Sequence, residues 1–309
     1  MIGRVTQQTI SRSTLANLQT NLAAMATLQN RASGSSMITR PSDDPAGTAK
    51  AIALRAGLRA NDQAGRNIDD GNGWLTTADT ALQASIDALR QARDLTVQGA
   101  NTGALNAQGR EALAVQIEGL RDTLLSQAST KYQGRLVFAG TSNAAVAVAV
   151  TPASGGPPPA AVIPATYASN TVAGASVDRR VDANTTIRVD VDGGQAFGNG
   201  GTSVFAALDS IAATLRAGGS VTADLRTLDT RRDALLTQLS GVGARQSQVL
   251  AAQTRSLDTK TTLTAQLSGI EDVDLAATLV DLQSQEVTYK AALGAAARVM
   301  QPTLLDFLR

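Results

Sequence analysis

The stretch DLAATLVDLQSQEVTYKAALGAAARVMQPTLLDFLR, residues 274–309, decides how the chain must fold. Leu275, Leu279, Leu282, Glu286, Tyr289, Leu293, Ala296 and Met300 follow one another in steps of four and three, the spacing of a heptad seam. Pro302 cannot continue a helix, because it brings no N–H and its ring clashes with the preceding turn. Leu304, Leu305, Phe307 and Leu308 follow it. A helix with so apolar a stripe cannot satisfy itself in water and requires a partner.

The opposite end of the sequence offers one. Leu15, Leu18, Leu22, Met25 and Ala32 repeat in the same kind of steps, and Ser33-Gly34-Ser35-Ser36 stops the pattern. Gly34 is expected to take the left-handed conformation that closes a helix. Pairing the two terminal helices buries both stripes, so the chain is read as nested, with its ends together and its middle as the far part.

Working inward, residues 38–47 contain Arg40-Pro41-Ser42-Asp43-Asp44-Pro45. Pro41 holds Arg40 extended, Asp44 is a natural N-cap and Pro45 a natural first helical residue. Capping explains Asp43 and Asp44 better than metal binding does, since no third ligand lies at a suitable spacing. Leu75, Ala78, Leu82, Leu89, Ala92 and Thr96 then share one helical face. Gly71 and Gly73 interrupt it, each at about 1 kcal/mol relative to Ala, so either one weakened helix or two joined helices are expected. Trp74, the only Trp, reads as a core or interface anchor. After a turn at residues 99–103, Leu113, Ile117, Leu120, Leu124 and Ala128 define a further helix.

Helical period is lost after Tyr132. Gln133-Gly134-Arg135 reads as a turn and Leu136-Val137-Phe138 as a short strand. Val146, Val148 and Val150 alternate with Ala, and Ile187, Val189 and Val191 alternate with Arg188, Asp190 and Asp192, which suggests a half-exposed strand with solvated carboxylates. Helix returns with Val204, Leu208, Ile211 and Leu215, then with a long heptad seam through Val221, Leu225, Leu228, Arg232, Leu235, Leu239, Val242, Gln246, Val249 and Gln253, of which Arg232, Gln246 and Gln253 are polar. Leu257, Leu263 and Leu267 read as a shifted phase of that seam, and Ser268 with Glu271 as a capping box for the terminal helix. The expected fold is mainly α with a small β insertion. A terminal coiled-coil assembly domain takes residues 1–44 and 272–309, a helical rod domain 45–139 and 202–271, and a β-rich insertion 140–201.

Composition narrows the chemistry. The 309 residues are 43% hydrophobic but only 3% aromatic, which suits closely packed helices and no thick globular core. The formal net charge of +1 gives no reason to expect nucleic acid or an anionic membrane as partner. There is no Cys and no His, which removes thiol nucleophiles, His-dependent triads, Cys/His zinc sites and disulfides. No apolar run is long enough for a membrane span, and residues 1–30 lack the apolar core of a secretory signal. Gly241-Val242-Gly243 does not complete a dinucleotide fingerprint. Glu271, Asp272 and Asp274 are expected from the dipole at a helix start, and Asp178, Asp190 and Asp192 from a solvated strand face rather than a cation site. The residues therefore point to no enzyme, no cofactor and no metal. The expected assembly seam comprises Leu15, Leu18, Leu22, Met25, Leu275, Leu279, Leu282, Tyr289, Leu293, Met300, Phe307 and Leu308.

Three stretches resemble bacterial flagellins and their hook-associated relatives. They are Arg40-Pro41-Ser42-Asp43-Asp44-Pro45-Ala46-Gly47, Leu89-Arg90-Gln91-Ala92-Arg93-Asp94-Leu95-Thr96-Val97-Gln98, and Glu271-Asp272-Val273-Asp274-Leu275-Ala276 with residues 301–309. Tyr132-Gln133-Gly134-Arg135-Leu136-Val137-Phe138-Ala139-Gly140 and the Asp306-Phe307 pair resemble the hook-associated members at the hook–filament junction more than filament flagellin. The resemblance implies a structural adaptor, exported uncleaved through the flagellar type III channel and placed outside the cell. Its implied partners are copies of itself, an adjoining hook-associated protein, flagellin, and an export chaperone on the C-terminal helix. Filament flagellin is the alternative, and a carboxylate-dependent hydrolase in the insertion a more distant one.

Overall fold

The computed structural model describes residues 7–100, 106–153, 165–172 and 174–299. The chain divides into two compact units, residues 1–60 with 259–309 and residues 61–258. In order along the sequence, α1 is Gln7–Gly34, α2 Pro45–Ala100 and α3 Ala107–Ala128. Among the described residues three antiparallel strand pairs follow, each two-stranded: β1 (Lys131–Tyr132) with β2 (Arg135–Leu136), β3 (Val148–Thr151) with β4 (Thr166–Ser169), and β5 (Asp178–Arg180) with β6 (Thr186–Arg188). Then come α4 (Gly193–Phe197), α5 (Val204–Ala217), α6 (Thr222–Glu271) and α7 (Leu275–Val299). The fold is mainly α with small β elements nested between long helices.

In the unit of residues 61–258, the predicted faces meet. Leu75, Ala78, Leu82, Leu89 and Ala92 of α2 are buried against Leu113, Ile117 and Leu124 of α3, Leu208, Ile211 and Leu215 of α5, and Leu228, Leu235, Val242 and Val249 of α6. The α6 residues recur every seven positions, so one stripe of a 50-residue helix faces the core. Ser256 occupies the next position of the same heptad phase, and Asn61 donates its side-chain amide to the Ser256 carbonyl at 3.0 Å. Leu257, read from sequence as the seam's continuation, is instead exposed. The buried hydroxyls of Ser85 and Thr96 donate to the carbonyls of Ala81 and Ala92, four residues back, so neither burdens the core with an unpaired group.

Gly71 and Gly73 do not break α2, which is one helix from Pro45 to Ala100. Their role is spatial. A Cβ on Gly73 would stand 2.4 Å from the Tyr132 hydroxyl, and one on Gly71 would stand 3.3 Å from Val189. Missing side chains thus let β1 and the segment after β6 lie directly on the helix. Trp74 is buried beside them, edge-on to Tyr132 at 5.9 Å, with the guanidinium groups of Arg135 and Arg179 5.9 and 5.8 Å from its ring centre. Gln133 and Gly134 between β1 and β2 both have positive φ, 48° and 80°, the signature of the two-residue hairpin turn whose twist matches its strands.

The β elements pack around aromatic rings. Phe138 meets Phe197 edge-on at 5.2 Å, Phe197 stacks with Phe205 at 5.8 Å, and Phe205 lies 5.4 Å from Tyr167. The alternation read at residues 187–192 does not hold. Asp190 is fully buried, its carboxylate accepting two bonds from Arg188 at 2.9 Å and one from the Val177 N–H at 2.8 Å. Its own strand stops at Arg188, which lets the chain turn the carboxylate inward.

In the unit formed by the chain ends, Asp44 caps α2 by accepting from the Gly47 N–H at 2.9 Å, as the sequence suggests. The close of α1 differs from expectation, because the left-handed residue is Ser35 (φ 50°) and not Gly34. The start of α7 differs too. Helix α6 runs through to Glu271, so Ser268 lies inside it, and Asp274 caps α7 by accepting from the N–H groups of Ala276 and Ala277 at 2.9 and 3.1 Å.

Candidate assembly surface

Helices α1 and α7 pack along each other, and their burial pattern separates inward from outward residues. Leu18, Asn21, Met25, Leu28 and Ala32 of α1 are half-buried, and Thr278, Leu282, Gln285, Tyr289, Ala292 and Ala296 of α7 are half-buried or buried. Both sets follow steps of three and four, so two contact lines meet. The Gln285 amide donates to the carbonyl and side-chain oxygens of Asn21, both at 3.4 Å, which places a polar pair within the line.

Of the residues expected in the seam, Leu18, Met25, Leu282 and Tyr289 lie on the contact lines. Leu15 and Leu22 lie roughly a quarter turn away on α1, at 100° per residue, and are exposed. Leu275, Leu279 and Leu293 are likewise exposed on one shoulder of α7. Met300, Phe307 and Leu308 lie outside the described residues. Spacing alone missed Val280 and Val287, which are 66% and 67% exposed and stand on the far side of α7 from α1. Their mutual spacing of one heptad was the available signal. Helix α7 therefore carries apolar side chains on its contact line, its shoulder and its back, and α1 covers only the first of these, leaving the shoulder leucines, Val280 and Val287 exposed.

Several charged groups elsewhere are tied to one another. Arg216 of α5 donates to Glu111 at 2.9 Å and to Glu118 at 2.5 Å, both on α3, and its hydrogen bonds hold the Glu118 carboxyl below the usual range. Arg121 and the Tyr167 hydroxyl both donate to Asp209, and burial together with that carboxylate pushes the Tyr167 phenol up. Glu118, Arg121, Tyr167, Asp209 and Arg216 line a cleft of about 800 Å³ between β4 and the α3–α5 pair, where each carboxylate already has an arginine. Asp178 accepts from Ser176, Asp192 caps α4, and Asp190 is paired as above. Glu271 pairs with Arg55 at 2.8 Å, and Ser268 donates to Asp272. Among the described residues, no three His, Cys, Asp or Glu side chains converge as metal ligands would, and no helix is long and apolar enough to cross a membrane.

Two long antiparallel helices of one chain, a β part between them and an unsaturated terminal pair have a counterpart. Residues 5–143 match the family model of the bacterial flagellin N-terminal helical region. Over those residues the chain is similar to flagellins. Flagellin of Bacillus subtilis is 29% identical over 140 residues, 45% of this chain and 46% of that protein. Flagellar hook-associated protein 3 of Salmonella typhimurium is 27% identical over 138 residues, 44% of this chain and 43% of that protein. These matches thus span less than half the length of either relative. A solved structure from Vibrio parahaemolyticus, assigned as a flagellar hook-associated protein, superposes over 74% of this chain and 100% of its own, with a TM-score of 0.65 at 20% identity. The likeness establishes a shared fold.

Proposed function

We propose that the chain is a structural adaptor at the flagellar hook–filament junction, assembled through α1 and α7. The observation that carries this reading is the outward apolar surface of the terminal pair. Exposed leucines and valines on both sides of a two-helix contact favour further helices of the same kind as neighbours. The hook-associated proteins named above support the junction over the filament, as do residues 132–140 and the Asp306-Phe307 pair. Under this reading residues 1–44 and 272–309 are the assembly part, and the remainder is the rod and its insertion. Adjoining copies, a hook-associated protein and flagellin are the partners. The chain leaves the cell by type III export, with a chaperone on its C-terminal helix. It is not an enzyme, a view supported by the insertion's carboxylates: Asp190 is committed to Arg188, Asp192 to a helix cap and Asp178 to Ser176.

Leu293→Asp tests the assembly surface. The site is exposed in the single chain, so the helix tolerates the charge, whereas an assembled neighbour would have to bury it unpaired at a cost of several kcal/mol. Expected is loss of flagellar attachment in cells producing the variant, with the circular dichroism of the purified chain unchanged. Normal filaments on that strain would refute the surface. The flagellin match favours a second reading, the filament subunit itself, and purified chain that polymerises into long filaments would replace the junction assignment with it.

A further inference from the structure

Residues 35–38 leave α1 and residues 271–273 lead into α7, and the two connectors touch through their backbones. Ser36 and Asp272 form an antiparallel bridge. The Met37 N–H donates to the Glu271 carbonyl at 2.7 Å, and the Val273 N–H donates to the Ser35 carbonyl at 3.4 Å. Side chains brace one strand of the bridge, since Arg55 holds the Glu271 carboxylate and Ser268 that of Asp272. The opposite strand carries the strain. Ser35 sits at φ 50°, a conformation that a residue with a Cβ keeps only where its surroundings impose it, and its carbonyl is one of the bridge acceptors.

We infer that this bridge is a clasp that sets the register of α1 on α7, so that the two helices are held or released together. The α6–α7 connector is short and braced, while the α1–α2 connector at residues 35–44 is long. Without the bridge, α1 would be positioned only by its single contact line with α7, which includes the long polar contacts of Asn21 and Gln285. Neither helix buries enough surface alone to persist as an isolated helix in water. Loosening one connector therefore lowers the protection of both helices, including turns more than twenty residues away.

Hydrogen exchange on the full chain, read by mass spectrometry, tests this. Met37→Pro removes the donor of the shorter bond, and exchange in α1 and α7 is expected to accelerate in parallel by roughly tenfold. Met37→Ala keeps the N–H and should leave both helices unchanged. The sequence has no cysteine, so Ser36→Cys with Asp272→Cys provides an independent arm that does not depend on tolerance of proline. Bridged residues have Cα separations of about 4.5–5.5 Å, within disulfide reach. Oxidation should slow exchange in both helices, and reduction should reverse it. Acceleration in one helix alone, thiols that fail to pair, or a disulfide that slows neither helix would each overturn the clasp.

Discussion

Phe197→Ala is expected to cost about 3–5 kcal/mol, the range for removing a large aromatic side chain from a packed core. Phe197 is fully buried and is the middle ring of a chain of contacts, edge-on to Phe138 at 5.2 Å and stacked on Phe205 at 5.8 Å. It also anchors α4, which has five residues and is too short to persist by itself. The strand pairs around it have two to four residues per strand, well below what holds a hairpin together in water. Side-chain packing is thus the main support of the described residues between 131 and 204, and little can relax into the space the ring leaves. Urea unfolding of the full chain reads the effect as a lower midpoint, and near-ultraviolet circular dichroism reads the loss of ring order. A penalty below about 1 kcal/mol would mean that the rings are not the core of this region.

The second large effect is at Asp190. Breaking a buried ion pair from one side costs about 3–5 kcal/mol, and the lower end applies here because the Arg188 side chain is 43% exposed and can rehydrate. Asp190→Ala strands the Val177 N–H as well as the guanidinium, whereas the Arg245 side chain keeps its 2.7 Å bond to the Asp190 carbonyl. Asp190→Asn preserves an acceptor for Val177 while losing the charge, so its stability should fall between the alanine variant and the parent. The same carboxylate hydrogen bonds, chiefly, raise the Arg188 pKa. Two variants as stable as the parent would show that the buried carboxylate contributes nothing.

Where the sequence was legible, one strong period had one cause. The faces through Leu75, Leu82 and Leu89, and through Leu228, Leu235 and Val242, were readable because burial on one side of a helix repeats without interruption. The nested order followed from the matching apolar ends. Other features were hidden for identifiable reasons. Asp190 carries the alternation of a solvated strand, yet the partner that permits its burial is Arg188, two residues away, and only the path of the chain shows which way both turn. Leucine at 257 outweighed serine at 256 in the pattern, although the serine holds the heptad phase, its hydroxyl donating to the side-chain oxygen of Asn61 at 3.2 Å. Ser268 and Glu271 have capping-box spacing, but α6 continues through them, and the cap fell to Asp274. On the terminal helices, close spacing merged contact-line residues such as Leu18 and Met25 with outward ones such as Leu15 and Leu22. Both classes are apolar, and no pattern of hydrophobicity separates an intramolecular contact from one awaiting another molecule.

The nesting also dictates an order of events as the polypeptide acquires its structure. Asn21 and Gln285 touch across 264 residues of sequence, so that contact must wait for nearly all of the intervening chain. Helices α3 and α5 meet across far shorter separations, as in the pairing of Arg216 with Glu118 across 98 residues. Contacts between distant segments pay their loop-closure entropy before they return any stabilisation. The terminal pair is therefore the last part to form. Pulse-labelling during refolding should find α1 and α7 protected only after α2, α3 and α5, and earlier protection at the ends would contradict this sequence of steps. A polypeptide arranged in this way keeps its stickiest surfaces apart until the rest of it has been made.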